Sequence, residues 1–228
     1  MSSNYSNEYY AFQEYIKGNQ IPIKRAILLM FSIIPETLEA LIRNIPGPLG
    51  MILRRIYYKF RLANLGKRTI IDVGVRFIGP RNISIGDYTW IDSDTKFEAR
   101  LGKIHIGNRV HIASFVIMGA RESITICDYA AVAAGAKIYS NSETPKNGLR
   151  MSGPMIPEEQ KAFYTKAIIV GRDSVVGTNS VLLPGAVLET GSILGALSLL
   201  KSSIPEWEIW AGSPAEKIGE RQKVIFNS

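Results

Sequence analysis

Aliphatic residues recur every six positions through the second half of the chain, a spacing that fits neither an α-helix nor an alternating strand. In five successive units the residue four positions after the aliphatic is small, which permits a tight corner between short flat segments. The aliphatics are Val170, Val176, Leu182, Leu188 and Leu194, and the small residues are Ser174, Ser180, Ala186, Ser192 and Ser198. One coil of three such units can bury its apolar row only against a neighbouring coil. The pattern therefore predicts a parallel β-helix of triangular cross-section, with the aliphatic side chains inside.

Earlier parts of the chain follow the same spacing less cleanly, in sets of three. These sets are Ile85, Ile91 and Phe97, then Ile106, Ile112 and Met118, then Ile126, Val132 and Ile138.

Residues 140–166 carry no six-residue phase and contain several prolines and glycines. A segment of that length without regular structure is usually functional in a compact domain. We therefore predict that residues 140–166 project from a corner of the β-helix.

The two ends of the chain differ from the repeats. Residues 1–68 are mostly helix-compatible, broken by Pro35 and by the Pro-Gly-Pro sequence at 46–48, and are predicted to form a helical preface that covers the open β edge of the first coil. The β-helix is predicted over residues 69–204 and a tail over residues 205–228, with a short helix at 215–226. The predicted fold is therefore mainly β, with a helical preface and a short C-terminal helix.

The positive charge is unevenly distributed along a chain of formal net charge +7. The stretch 43–68 contains no acidic residue and seven basic ones: Arg43, Arg54, Arg55, Lys59, Arg61, Lys67 and Arg68. Such a block suits an anionic phospholipid surface, or else it is a solvated helix face beside a core. Nucleic acid is not an expected partner, because no nucleic-acid-binding motif accompanies the charge.

The cysteine content and the hydropathy of the chain indicate its cellular compartment. Cys127 is the single cysteine and cannot form an internal disulfide, and no apolar stretch approaches the roughly 20 residues of a membrane-spanning helix. We therefore expect a cytoplasmic protein, either free or peripheral at the inner face of the membrane.

Several segments resemble the hexapeptide-repeat acyltransferases, and more narrowly the sugar acetyltransferases of bacterial surface-polysaccharide synthesis. The resemblance covers roughly residues 45–221 and is carried by the repeats and by segments 45–50, 170–171, 183–186 and 211–217. It implies a left-handed β-helix, acetyl-CoA as co-substrate, and a homotrimer with each active site between neighbouring subunits. It also implies that a sugar oxygen or nitrogen attacks the thioester directly, on a nucleotide-linked or lipid-linked acceptor.

Acyl transfer needs a group that takes the acceptor's proton, and histidine suits this role because it titrates near neutrality. His111 and His105 each precede an inward-facing isoleucine, so both side chains should point out of the β-helix. Many relatives place their catalytic histidine directly after a coil that ends like residues 136–139, where this chain instead has Asn141 and Glu143. The candidates for the base are therefore His111 first and His105 second. Asn141 is the candidate for orienting the acceptor, and Glu143 is an alternative proton acceptor.

The missing histidine leaves three explanations open. His111 is the base, or an amine acceptor needs little assistance from a base, or the chain is a catalytically weakened member that binds CoA or acts as a scaffold. A zinc-dependent carbonic anhydrase is a more distant alternative, and no metal site is predicted because two histidines are too few for three ligands unless subunits pool them.

The resemblance also suggests where CoA binds. Relatives hold the pantetheine arm with backbone groups of late coils, which points to Gly177, Gly195 and Ala196, although the same residues serve equally as tight corners. Exposed cations near these corners can pair with the phosphates of CoA, or remain solvated. The candidate cations are Lys201, Lys217 and Arg221.

Overall fold

The computed structural model describes residues 4–144, 148–151 and 155–225. It begins with three helices, α1 (Asn4–Ile16), α2 (Ile23–Arg43) and α3 (Gly47–Arg61). None of the helices in the described part of the chain is both long and apolar enough to cross a bilayer. The prolines at 46 and 48 separate α2 from α3, but α2 continues through Pro35, where the sequence predicted a break. Packing on α3 stabilises this stretch, since the Tyr57 hydroxyl donates to the Pro35 carbonyl at 2.7 Å.

The rest of the described chain is built from short strands, numbered β1 to β23 in chain order, with 3₁₀ turns at Pro80–Asn82 and Glu158–Gln160. The strands are Asn64–Leu65, Ile70–Ile71, Arg76–Ile78, Ile83–Ile85, Trp90–Ile91, Lys96–Glu98, Lys103–Ile106, His111–Ile112, Ile117–Gly119, Ser123–Ile126, Ala131–Val132, Lys137–Tyr139, Asn141–Glu143, Phe163–Thr165, Ile168–Val170, Val175–Val176, Val181–Leu182, Val187–Leu188, Ile193–Leu194, Leu199–Leu200, Ser203–Ile204, Glu208–Ala211 and Glu216–Glu220.

Three parallel sheets form the sides of a left-handed β-helix of about seven turns. The first sheet has the order β1-β4-β7-β10-β15-β18-β21, the second runs β2-β5-β8-β11-β16-β19-β22 and ends on β23, and the third is β20-β17-β12-β9-β6-β3. Each coil contributes one strand to each sheet, so a strand hydrogen-bonds to the strand one coil away. The predicted fold class is confirmed.

The predicted aliphatic rows form the core. All five aliphatics of the regular stretch are fully buried, as are the nine residues of the earlier sets. The small residues lie at the corners, where the Ser174 hydroxyl donates to the Glu189 carbonyl and the Ser180 hydroxyl to the Gly195 carbonyl, both at 2.7 Å. These bonds join one coil to the next, which explains why the fourth position of each unit must be compact.

Coil length explains why the earlier repeats are less regular. Val176 pairs with Leu194, eighteen positions later, whereas Ile91 pairs with Ile112, twenty-one positions later. The three extra residues lie at the corner between the third and the first sheet, where β6 ends at Glu98 and β7 begins at Lys103. The following corner keeps the six-residue spacing, and there the Asp87 amide donates to Asn108 Oδ1 at 2.8 Å and the Asn108 amide donates to Asp128 Oδ1 at 2.7 Å. The longer corners shift the hexapeptide phase without interrupting the stacked core.

The helical preface packs on the first coils, and the β-helix begins earlier than predicted. Strand β1 starts at Asn64 and pairs with β4, so the first coil begins before residue 69. Leu65 lies beside Ile85 and is buried like it. Leu65, Ile71 and Phe77 keep the six-residue spacing and form a further set of buried residues that the sequence analysis did not identify. Tyr58 of α3 continues the same core, with its ring 4.7 Å from that of Phe77.

Much of the basic block at 43–68 is structural. Arg54 is completely buried and donates to the carbonyls of Ile71 at 2.9 Å and Ile45 at 2.6 Å. Arg55 donates to the Thr69 and Gly66 carbonyls. Three further arginines contact other groups of the protein: Arg43 lies 3.8 Å from Glu39, Arg61 lies over Tyr57 and Arg68 lies over Tyr88. Lys59, Lys67 and Arg68 are the exposed members of the block.

The predicted C-terminal helix is wrong for the described residues. Strand β23 occupies Glu216–Glu220 and pairs antiparallel with β22, while Phe226 lies outside the described residues. Gly212, at φ 103°, helps to reverse the chain between the two strands. The last parallel strand of the second sheet would otherwise leave backbone donors and acceptors unpaired, and pairing them outweighs the local helix preference.

Candidate active site

His111 lies on the outer face of the second sheet. It is directly beside Trp90 of the preceding coil and Ala131 of the following coil, because the parallel register aligns these three positions. Its Nε2 is 3.0 Å from Oδ2 of Asp92, and the imidazole is about half exposed. The structure therefore gives His111 an outward position, as predicted, and a carboxylate partner that the sequence analysis did not identify.

An open cleft of about 460 Å³ surrounds this pair. Trp90, Asp92, His111, Tyr88 and Arg109 line it. The Arg109 guanidinium lies over the Tyr88 ring, 4.6 Å from the centroid. When His111 Nε2 donates to Asp92, the lone pair of the neutral imidazole is on Nδ1. The arrangement can accept a proton on Nδ1 and stabilise the resulting imidazolium by the adjacent carboxylate.

His105 lies on a different side of the β-helix. It belongs to the first sheet, between Ser84 and Thr125 in register, and its Nδ1 is 2.9 Å from the Ser84 hydroxyl. The two histidines of the chain thus face different surfaces, and His105 has a hydroxyl neighbour where His111 has a carboxylate.

Asn141 and Glu143 lie on a two-stranded antiparallel ribbon, β13 and β14, within the segment 140–166. Residues 145–147 and 152–154 of that segment lie outside the described residues. Asn141 lines a second cavity of about 420 Å³ between the ribbon, helix α1 and the corners of the third sheet. Arg121 forms part of the wall of this cavity. Its guanidinium lies 4.0 Å from the centroid of the Phe163 ring and forms an ion pair with Glu158. Within one chain, His111 and Asn141 therefore line separate cavities.

The glycines proposed as CoA contacts lie where coils approach closely. A Cβ on Gly177 would be 2.4 Å from the Ala196 amide nitrogen, and a Cβ on Gly195 would be 2.8 Å from the Ala211 Cβ. Coil packing alone therefore requires glycine at 177. Ala196 is exposed, next to the exposed corner residue Leu197.

The three candidate phosphate ligands differ in their surroundings. Lys201 is exposed. The Lys217 ammonium donates to Glu208 at 2.8 Å and to Glu220 at 2.9 Å, and these bonds raise the pKa of Lys217. Arg221 donates to the carbonyls of Asp173 at 2.6 Å and Gly191 at 3.3 Å, which attaches the tail to the coils. A phosphate would have to compete with these existing contacts at Lys217 and Arg221.

Sequence reasoning missed Asp92, Tyr88 and Arg109. Each lies about one coil away from a partner in the cleft: Tyr88 precedes Arg109 by twenty-one positions, and Asp92 precedes His111 by nineteen. Searching for polar or aromatic residues at a separation of one coil length, on the outward positions of the repeat, is the signal that would have found them.

Comparison with known proteins identifies relatives of the chain. It is 33% identical over 163 residues to the dTDP-4-amino-4,6-dideoxy-D-glucose acyltransferase of Escherichia coli, covering 72% of this chain and 84% of the relative. No protein-family model matches the sequence.

Solved structures of acyltransferases share the fold of this chain. AntD, an N-acyltransferase from Bacillus cereus in complex with dTDP and 3-hydroxybutyryl-CoA, superposes with a TM-score of 0.68 at 28% identity, covering 74% of this chain and 88% of that one. A hexapeptide-repeat acetyltransferase from Vibrio cholerae shares the fold at 18% identity and a TM-score of 0.58, covering 83% of this chain and 89% of that one. The chain therefore belongs to the hexapeptide-repeat sugar acyltransferases, enzymes that transfer an acyl group from acyl-CoA to a sugar.

Proposed function

We propose that this enzyme transfers an acetyl group from acetyl-CoA to the amino group of a nucleotide-linked amino sugar. The Escherichia coli relative acts on a dTDP-linked 4-amino sugar, and AntD is an N-acyltransferase that binds dTDP and an acyl-CoA. A neutral amine is already nucleophilic and loses its proton as the C–N bond forms, so His111 can accept that proton without a histidine at 140–143. Surface-polysaccharide synthesis is the setting that the sequence resemblance suggests for such a product.

The observation that carries the mechanism is the hydrogen bond between His111 and Asp92 in an open cleft. The amine nitrogen attacks the thioester carbonyl carbon, a C–N bond forms, and the C–S bond breaks. The proton lost by the nitrogen passes to His111 Nδ1, and the thiolate that leaves is then protonated as free CoA. Asp92 holds the imidazole in the tautomer that can accept this proton.

A homotrimer would bring the remaining candidates together. Because His111 and Asn141 line different cavities of one chain, they can act on the same acceptor only if the ribbon of one subunit approaches the His111 cleft of its neighbour. Asn141 would then orient the acceptor, with Glu143 as the alternative proton acceptor. Mixing chains that carry His111→Ala with chains that carry Asn141→Ala tests this arrangement, since some sites between unlike subunits would contain both native residues. Recovery of activity on mixing supports a shared site, and no recovery contradicts it.

We propose that CoA binds along the late coils. Ala196 is exposed beside the close-packed backbone of Gly177 and Gly195, and Lys201, directly after β20, is an exposed cation for a phosphate. Lys217 and Arg221 are further phosphate ligands if CoA displaces their present partners. Exchange of Lys201 for Ala should raise KM for acetyl-CoA more than it lowers kcat, because phosphate contacts remote from the thioester contribute mainly to uniform binding.

The test of the base is the rate of thiol release from acetyl-CoA with a panel of nucleotide-linked amino sugars. His111→Ala should lower turnover by about a hundredfold. His105→Ala is the matched comparison, because it removes the other outward histidine. An unchanged rate for His111→Ala would move the role of base to Glu143, with Asn141 orienting the acceptor, and a loss confined to His105→Ala would move it to His105.

The alternative is a catalytically weakened subunit that binds CoA or serves as a scaffold. The observation that favours it is the sequence at 140–143, which has no histidine where many relatives have one. The two functions differ in a simple measurement: retained CoA binding without thiol release on any acceptor favours the scaffold. We place either activity in the cytoplasm, at or near the inner face of the membrane.

A further inference from the structure

Helices α2 and α3 carry rows of large apolar side chains that face solvent. The exposed residues of these rows, here called the apolar stripes, are Ile23, Ile27, Met30, Phe31, Ile33, Ile34, Leu38 and Leu41 on α2, and Leu49, Ile52, Ile56 and Phe60 on α3. The spacing of three or four residues places most of each row along one side of its helix. Several members are more than two-thirds exposed, including Ile34 at 72% and Phe60 at 71%.

The polar side of α2 faces the protein instead. Glu39 is only 5% exposed, receives a hydrogen bond from the Tyr58 hydroxyl at 3.3 Å, and lies 3.8 Å from Arg43. Glu36 is half-buried and hydrogen-bonds with Glu8 of α1. An amphipathic helix on a water-soluble domain normally has the opposite orientation. The outward apolar side therefore requires a partner other than water, because contiguous apolar surfaces of this kind mark contact sites.

The two stripes lie on neighbouring elements. Tyr57 and Tyr58 of α3 bond to Pro35 and Glu39 of α2, which fixes the two helices against each other. Both helices lie at the N-terminal end of the β-helix, beside the first coil. The surface is therefore built on a fixed scaffold.

The charge around the stripes has one sign. Of the side chains that the structure describes on α2 and α3, the exposed charged ones are Lys24 and Lys59, and no carboxylate is exposed there. Lys59 lies next to Phe60 and Lys24 next to Ile23, so ammonium groups border the apolar residues at both helices. Apolar residues bordered by lysine and free of exposed carboxylates complement an anionic phospholipid surface.

We infer that α2 and α3 lie flat on an anionic membrane with the apolar stripes inserted among the acyl chains. Neither helix can span a bilayer, so the contact is in the plane of the interface. A second copy of this chain is the competing occupant, because it presents the same stripes. The exposed Lys24 and Lys59 carry the same charge on both copies and would oppose that contact, whereas they favour an anionic surface. The inference is independent of the proposed acyl transfer.

The experiment is co-sedimentation of the full chain with vesicles of phosphatidylcholine alone and with vesicles that contain phosphatidylglycerol. The native protein should bind the anionic vesicles, and the double variant Ile34→Glu/Ile56→Glu should bind them about tenfold less, because a carboxylate on each stripe opposes insertion next to anionic lipid. Ile218→Glu is the matched control, since Ile218 is 67% exposed on β23, away from the stripes. It should bind like the native protein.

A second pair of variants reports insertion directly. Phe31→Trp should show quenching by brominated lipids above the level of the native tryptophans, whereas Ile218→Trp should not. Circular dichroism and thermal unfolding establish that each variant is folded. Native protein that fails to bind anionic vesicles would overturn the inference. So would a native assembly that the double variant splits into smaller species by sedimentation velocity, since the stripes would then bind another copy of the chain.

Discussion

His111 is held by Asp92 from the preceding coil, with 3.0 Å between Nε2 and Oδ2. Neither residue is close to the other in the sequence, and the one-coil separation brings them together because both occupy outward positions on adjacent coils. The contact determines which nitrogen of the imidazole carries the lone pair, and so which one can take a proton from an acceptor.

Replacing Asp92 with Asn should lower turnover by about tenfold or more while CoA binding is retained. The amide can still hydrogen-bond to the imidazole, but it cannot stabilise the imidazolium and can favour the wrong tautomer. The measurement is kcat and KM for acetyl-CoA with the best acceptor. Ser84→Ala is the matched control, because Ser84 contacts His105 in the same way on another sheet. Equal turnover in the Asp92 variant and the native enzyme would remove the carboxylate from the mechanism.

Replacing Gly177 with Ala should lower the free energy of unfolding by about 1–3 kcal/mol, because the added Cβ would overlap backbone atoms of Gly195 and Ala196. Denaturant unfolding measures the change. Gly219→Ala is the control, since a Cβ there meets nothing within 4 Å. If Gly177→Ala were as stable as the native protein but bound CoA weakly, the glycine would serve ligand binding and not coil packing.

Replacing Arg54 with Met should destabilise the protein by about 2–4 kcal/mol, since the buried carbonyls of Ile45 and Ile71 would lose their donors. Thermal or denaturant unfolding is the measurement. Lys59→Met, on an exposed position of the same helix, should change stability by no more than about 0.5 kcal/mol. A small effect at Arg54 would mean that water reaches these carbonyls readily.

Stability should also depend on Glu8. Burial and the neighbouring Glu36 carboxyl raise the pKa of Glu8 to about 7, while Arg76 and Arg100 act in the opposite direction. A carboxyl whose pKa is higher in the folded state stabilises the fold below its unfolded value, 4.5, and that contribution is lost as the pH rises through about 7.

The melting temperature should therefore fall between pH 5 and pH 8 in the native protein, and Glu8→Gln should reduce this fall and stabilise the protein at pH 8. Glu216→Gln, at an exposed position on β23, serves as the control. A native protein and a Glu8 variant with the same pH dependence would contradict the expected role of the carboxyl pair.

The sequence predicted the buried rows well because the burial of each side chain in a β-helix depends on its phase in a six-residue repeat. It failed where the outcome depends on contacts between segments. Pro35 lies inside α2 because α3 packs on that stretch, and residues 216–220 form a strand because β22 presents an open edge. The basic block likewise divides into structural and exposed members only in the folded chain, where Arg54 donates to carbonyls of α2 and β2.

The sequence by itself determined the coil, its core and the outward direction of His111, since periodicity specifies which side of the backbone faces inward. Tertiary structure decided which outward residues meet. Coil stacking places Asp92 beside His111 and leaves Asn141 at a separate cavity, because spatial neighbours across coils are set by corner lengths that the repeat does not encode. It also decided that α2 turns its carboxylates inward and its apolar side outward, since the buried contacts of Glu39 with Tyr58 and Arg43 fix the rotation of that helix.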